Sequence, residues 1–152
     1  MKKIKEGDIF EINTPKGKAY LHYIYKDKVI GELIRVLPGL FNDKPVDINK
    51  LVALEEEQFM VFFPLAYAYK KKIVQLTGEY PSTSFTKPKF MRTEFFVKGE
   101  FLGWHIIDTD SWQRVLVKNL SEDQQKLSPW GIWNDTLLIE KLTDNWNLEN
   151  WG

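Results

Sequence analysis

The chain has 152 residues, no cysteine and a formal net charge of zero, with 21 basic and 21 acidic side chains. This length suits a single domain spanning residues 1–152. The charge balance argues against a bulk attraction to nucleic acid or to anionic membranes, and the lack of cysteine excludes disulfides and thiolate chemistry. Because we find no signal-like leader and no membrane-length apolar run, we expect a cytoplasmic protein.

Three segments rich in β-branched and aromatic residues open the chain and predict an antiparallel β-meander. They are Asp8–Asn13, Lys18–Tyr25 and Lys28–Leu37. Pro15 and Gly17 supply the first turn, and Lys26-Asp27 supplies the second. Gly31, inside the third segment, predicts a bulge or bend that curls the sheet. Both alternating sets of the second strand are largely apolar or aromatic, so we expect it to be covered on both faces.

The middle of the chain predicts further short elements. Phe59–Phe63 has the length of a buried strand, and Pro64 can open a short helix over Leu65–Lys71. Leu51–Leu54 fits either a strand or a helical turn. Four more strands and one surface loop follow from the same patterns. The strands are Ile73–Glu79, Arg92–Val97, Leu102–Asp108 and Ser111–Lys118, and the loop is Tyr80–Lys89.

The last part of the chain predicts one short helix and one strand. Ser121 and Gln124 have the spacing of a capping box, and Ser128-Pro129 ends the helix that it starts. Asp135–Leu142 predicts a final strand, whereas the structure of Thr143–Gly152 stays open. The predicted fold is therefore α+β and mainly β, with an N-terminal antiparallel meander curling into a small barrel-like sheet, further strands and one or two short helices.

The six tryptophans all lie in the last 49 residues, where Phe101–Gly152 carries eight acidic and four basic side chains. Tryptophan is enriched among the energetic anchors of interfaces, and acidic surroundings favour a basic partner. Trp104 and Trp112 fall in strand patterns and are assigned to the sheet. Trp151 and three other tryptophans lie among polar and turn residues and are candidate anchors. The predicted partner contacts are Trp130, Trp133, Trp146, Asp108, Asp110, Asp135 and Asp144.

Candidate catalytic residues are sparse. His22 and His105 each lack a second His or Cys nearby, so a structural role is the simpler interpretation of both. His105 could pair with Asp108 or Asp110 as an oriented base, but residues three apart on a strand face opposite sides, which argues against Asp108. We therefore expect no enzyme activity, no metal and no cofactor, and a hydrolase based on His105 is the least favoured reading.

The basic region Lys70–Lys98 carries seven basic and two acidic residues, interleaved with aromatic residues. Such interleaving can stack bases while Lys and Arg contact phosphates. The alternative function is thus a small β-barrel that binds single-stranded nucleic acid, although a solvated basic face is the simpler interpretation. Glu55-Glu56-Glu57 is interpreted as a solvated turn or strand edge.

The octet Lys5–Ile12, a strand opening with Gly-Asp and running into Phe-x-Ile, resembles the immunity protein 26 family of bacterial polymorphic toxin systems. Further matching segments fall in the family's order. They are Phe62-Phe63-Pro64, the Ile73–Gly78 strand leading to Pro81, and Leu120-Ser121-Glu122 followed by Leu137–Leu142. The family often carries a Trp where this chain has Val74-Gln75. The resemblance implies a non-enzymatic protein that binds and blocks a toxin from neighbouring cells, expected here to be a basic domain such as a nuclease.

Overall fold

The computed structural model describes residues 2–42, 46–54 and 57–151. The fold is α+β and mainly β, as predicted, with two antiparallel sheets and three short helices. The first sheet is open, because its outermost strands in the described part of the chain do not pair with each other. The expected curling of the meander therefore does not close a barrel.

Eight strands and three helices follow one another in the described residues. They are β1 Asp8–Thr14, β2 Gly17–Asp27, β3 Gly31–Val36, α1 Ile48–Ala53, β4 Phe59–Phe62, α2 Leu65–Lys70, β5 Val74–Glu79, β6 Phe90–Val97, β7 Glu100–Asp108, β8 Arg114–Val117 and α3 Asp135–Thr143. The first sheet has the order β4-β3-β2-β1-β5, and the second has the order β6-β7-β8.

The core lies on both faces of the first sheet. On one face, Phe10, Leu21 and Val61 pack with residues of α2 and α3. On the other face, Phe62 packs with Met91 of β6, which joins the two sheets. Strand β2 is buried continuously from residue 19 to residue 24, so the predicted coverage of both its faces is confirmed.

Helix α3 occupies the segment that we predicted as the last strand, Asp135–Leu142. The Asn134 side chain accepts a hydrogen bond from the Leu137 backbone N–H at 2.8 Å and caps the helix. Leu138 and Leu142 are buried one turn apart on the face toward the core. The strand prediction was wrong because a short apolar run suits both structures, and the Asn134 cap selects the helix.

The second turn of the meander lies later than predicted. Strand β2 continues through Lys26 and Asp27, and Asp27 accepts hydrogen bonds from the backbone of Val29 and Ile30 in the turn. Gly31 is the first residue of β3 and has a φ of 94°, so it does not form a bulge inside the strand. The register shift lies opposite, in β2 between Tyr23 and Tyr25.

Other local predictions have mixed outcomes. Most of the undecided segment Leu51–Leu54 belongs to helix α1. Ser121 and Gln124 exchange two hydrogen bonds as a capping box should, but the helix is only a 3₁₀ turn over Gln124–Lys126. The Thr143–Gly152 tail has no regular helix after α3 in its described part, and Glu55 and Glu56 lie outside the described residues. Among the described helices, none has the length and apolarity needed to cross a membrane.

Candidate protein interaction surface

The exposed large apolar side chains are concentrated on the second sheet. Eight of the twelve in the described residues lie between Phe90 and Leu116. They are Phe90, Phe96, Val97, Phe101, Leu102, Trp112, Val115 and Leu116, and we call them the exposed sheet surface. Neighbouring residues of a strand project to opposite faces, so these side chains are shared between the two faces of the sheet. A concentration of exposed apolar side chains in one part of a folded protein is typical of an interaction site.

The β6-β7 hairpin builds the aromatic centre of this surface. Phe96 lies opposite Phe101 in the register, with ring centroids 5.4 Å apart, and Phe101 meets Trp104 edge to face at 5.7 Å. Gly103 has a φ of 139°, and a Cβ there would lie 2.5 Å from the Val117 carbonyl oxygen. Only glycine therefore lets β7 approach β8 this closely below the aromatic side chains.

A buried arginine fixes the chain that packs under the sheet. The Arg92 guanidinium donates hydrogen bonds to the backbone oxygens of Leu127 and Gln125 at 3.0 Å and of Leu148 at 3.3 Å. The Cζ atom of Arg92 lies 4.7 Å from the ring centroid of Trp104 and 4.1 Å from that of Trp151. Burial lowers the pKa of Arg92 to about 10. The arginine thus ties the 3₁₀ turn and the C-terminal tail to β6.

The three tryptophans predicted as partner anchors contribute mainly to packing. Trp133 is only 8% exposed, and its ring lies 5.3 Å from that of the half-buried Trp146. Both rings also contact Phe59 in the core. Trp130 is half-buried and packs against Phe62 at 6.1 Å. The polar neighbours of these residues in the sequence did not reveal this packing.

The position of Trp112 differs from the one that the sequence predicts. Its sequence pattern assigns it to the sheet, but it lies in the turn before β8, is 40% exposed and has a φ of 62°. Trp104, in contrast, is buried in β7 as predicted. A left-handed backbone conformation at a bulky residue has no clear signal in the sequence, so the sequence does not predict this exposed position.

The predicted acidic contacts fall into two groups. Asp108 and Asp110 lie together in the β7-β8 turn, where Asp108 accepts hydrogen bonds from the backbone N–H groups of Asp110 and Ser111. These bonds lower the pKa of Asp108, and bonds from Lys87 and Lys89 lower the pKa of Asp110. The other two acids lie at the ends of α3, with Asp135 as its first residue and Asp144 just after its last.

The two histidines have different surroundings. His22 is fully buried, and its Nε2 donates to the Tyr80 carbonyl oxygen at 2.9 Å, which leaves Nδ1 to accept from Arg35 at 3.1 Å. Burial lowers the pKa of His22. His105 is half-exposed beside Phe95, and its Nδ1 lies 3.4 Å from Arg114. Neither arrangement pairs a histidine with the carboxylate of an oriented base.

The basic region of Lys70–Lys98 has no single exposed basic stripe among its described contacts. Lys87 and Lys89 form ion pairs with the acids of the β7-β8 turn, and Arg92 is buried. Lys70 ends α2 beside the first sheet, whereas Lys98 lies in the β6-β7 turn of the second. In the described part of the chain, no group of three or more His, Cys, Asp or Glu residues could hold a metal ion.

Comparison of the chain with protein-family models, with curated proteins and with solved structures finds no match. A functional assignment therefore depends on the surface chemistry of the second sheet and on the sequence motifs. Of these, the exposed sheet surface holds most of the exposed large apolar side chains in the described part of the chain.

Proposed function

We propose that this protein is a non-catalytic immunity protein that binds a toxin domain and occludes it through the exposed sheet surface. The concentration of exposed apolar side chains on β6, β7 and β8 carries the proposal. The resemblance of Lys5–Ile12 to an immunity family supports it independently. Binding of this kind requires no reacting group, only a complementary surface that covers the active site of the partner.

The aromatic centre of the surface is suited to anchor such a complex. Phe96 and Phe101 are 51% and 44% exposed, and their rings already touch, so little side-chain freedom is lost when a partner covers them. Aromatic residues near the middle of an interface commonly carry much of its binding energy. An interface of about 800 Å² on each partner is the usual size for a stable complex.

The toxin remains proposed as a basic domain such as a nuclease, acting in the cytoplasm. The sequence support for this is the excess of acidic residues after Phe101. Because lysines neutralise Asp108 and Asp110, attraction of the partner would depend on other carboxylates, including the exposed Glu100 and Glu122.

The test is binding to the toxin domain encoded beside this protein, measured by calorimetry and by survival of cells that express the toxin. We expect the double substitution Phe96→Ser with Phe101→Ser to weaken binding by at least about a hundredfold and to abolish protection. Tyr67→Ser is the matched control, since Tyr67 is 56% exposed on α2, outside the exposed sheet surface.

Two outcomes would remove the proposal. One is a wild-type protein that neither binds nor protects against that toxin. The other is a folded double variant, checked by circular dichroism, that binds as tightly as wild type. Substitution of Trp133 would be a poor test, because loss of this core residue would weaken binding through misfolding.

A further inference from the structure

Strand β8 is the open edge of the second sheet. It pairs with β7 on one side, and within the described residues no strand pairs with its other side. Its residues Val115 and Leu116 are 64% and 49% exposed. Natural proteins usually keep apolar residues away from an open edge, because unpaired backbone groups there can recruit another strand.

The turn that enters β8 determines which backbone groups face outward. Asp108 N donates to Gln113 O at 2.9 Å, and Trp112 N donates to Asp108 O at 2.8 Å, so Asp108 faces two residues of the other strand. Gln113 therefore points its carbonyl toward β7. Because hydrogen-bonded and non-hydrogen-bonded pairs alternate in an antiparallel ladder, the N–H and C=O groups of Arg114 and Leu116 point away from β7.

Charged and apolar side chains are arranged in a definite order along this edge. Arg114 begins β8 and Lys118 follows its last residue, and neither forms an ion pair within the described part of the chain. Between them lie three apolar residues, of which Val115 and Val117 line an apolar cleft of about 350 Å³ together with Ile106 and Leu127. The edge thus presents basic, apolar, apolar, apolar and basic positions in turn.

We propose that the outer edge of β8 binds an extended strand of a partner protein, with carboxylates opposite Arg114 and Lys118 and apolar residues opposite Val115 and Val117. The added strand would pair with the backbone of Arg114 and Leu116. Opposite charges across a strand pair stabilise it, and apolar side chains beside Val115 and Val117 would cover the cleft.

A second copy of this chain fits the edge less well. The outward groups belong to even-numbered residues, so a two-fold antiparallel pair that overlaps residues 114–118 must place Leu116 opposite Leu116 of the other copy. Arg114 then faces Lys118 of the other copy at both ends. Like charges directly opposite each other destabilise a strand pair, so the charges favour an acidic partner strand.

The inference deepens the proposed function and depends on it only for the identity of the partner, which would present one acidic strand within an otherwise basic domain. Its test uses a capped peptide, Gly-Glu-Val-Thr-Val-Glu-Gly, added at up to about 5 mM to the isotope-labelled full chain. We expect shifts and increased exchange protection at the backbone N–H groups of Arg114 and Leu116. A peptide with Lys in place of both Glu residues should bind about threefold to tenfold more weakly.

Two sets of variants test the geometry and the charges. Leu116→Pro removes an N–H that points away from β7, so it should abolish peptide binding while β8 stays paired. Arg114→Glu with Lys118→Glu should reverse the preference toward the Lys peptide. Lys16→Glu with Lys70→Glu changes the net charge equally at exposed positions outside the second sheet and should leave the preference unchanged.

Several results would overturn the inference. These are the absence of shifts at Arg114 and Leu116 with either peptide, an unchanged preference in the charge-reversed variant, and shifts that depend on protein concentration without peptide, which would assign the edge to a second copy. Peptide binding by a protein that protects against no toxin would retain this inference and remove the proposed function. Toxin protection without any peptide shifts would do the reverse.

Discussion

The guanidinium carbon of Arg92 lies 4.1 Å from the ring centroid of Trp151, and this contact joins the end of the chain to the middle of β6. Trp151 also donates a hydrogen bond from Nε1 to Glu94 at 2.8 Å, so two residues of one strand hold the same ring. The sheet that carries the exposed sheet surface therefore packs against the C-terminal tail, which is distant from β6 in the sequence. Its rigidity depends on a side chain that no partner would touch.

We expect Arg92→Leu to lower the free energy of unfolding by about 2–4 kcal/mol, because three backbone oxygens lose a buried donor. Removal of a desolvated charge offsets part of this loss. Urea denaturation followed by tryptophan fluorescence measures the change. Lys16→Leu is the exposed control and should stay within about 0.5 kcal/mol of wild type. An Arg92 variant equally close to wild type would contradict the proposed clamp.

The stability of the protein should depend on the protonation of His22. Burial lowers the pKa of His22, so between that pKa and its ordinary value the unfolded chain binds more protons than the folded chain. The stability contributed at neutral pH is therefore lost as the pH falls below about 6.5. Burial raises the pKa of Glu57 even though Arg35 beside it acts in the opposite direction, so the contribution of Glu57 has the opposite sign and its stability is lost as the pH rises.

His22→Gln isolates the histidine contribution, because the amide can still donate to Tyr80 and accept from Arg35 without titrating. We expect the decrease in melting temperature between pH 7.5 and 5.5 to become smaller in this variant, these pH values being chosen about one unit either side of the ordinary histidine pKa. His105→Gln, at a half-exposed site, should change the profile less. Identical profiles for wild type and His22→Gln would refute this assignment.

The tryptophans of the last third should differ sharply in their effects on stability. Trp133→Ala should cost about 3–5 kcal/mol, because it leaves a cavity against Phe59 and Trp146. Trp112→Gly should instead stabilise the fold by about 1 kcal/mol, since glycine accepts a φ of 62° without strain. Thermal unfolding of both variants measures the contrast. Destabilisation by Trp112→Gly would mean that ring packing outweighs backbone strain at this turn.

If the toxin is basic, its association with this protein should slow as salt is added. We expect the association rate to fall by about tenfold between 50 and 500 mM salt, with little change in dissociation, in stopped-flow measurements. Glu100→Gln should slow association more than Asp110→Asn, because Lys87 and Lys89 already neutralise Asp110. An association rate that does not depend on salt would contradict a basic partner, and apolar contact alone would then account for binding.

Local patterns in the sequence predicted most elements of the fold. Turn residues such as Pro15 and Gly17 act through their own backbone preferences, and the capping box of Ser121 and Gln124 involves only four residues. These local features form whatever tertiary contacts the segment makes. The strand prediction for Asp135–Leu142 failed because the apolar pattern of this segment suits a strand or a helix. The packing of Leu138 and Leu142 against the first sheet discriminates between the two structures.

The candidate site was less predictable than the fold. The acidic, tryptophan-rich end of the sequence includes β7 and β8, which carry much of the proposed surface, but the sequence pattern favours Trp133 as a contact and does not indicate Phe101. An aromatic residue among polar neighbours can still be buried by distant chain, as Trp133 is by Phe59. Phe101 has the strand pattern of a core residue, and nothing near it in sequence indicates that its side chain stays exposed.

The sequence by itself determined the β-rich class, most strand positions, the turns and the absence of a recognisable catalytic motif, because these depend on residues close together in the chain. Only the tertiary structure decided that Trp133 and Arg92 are buried, that Trp112 is exposed and that β8 forms an open edge. Burial and edge position depend on which distant segments meet. The C-terminal tail and the turn after β8 cover one part of the second sheet and leave the exposed sheet surface uncovered.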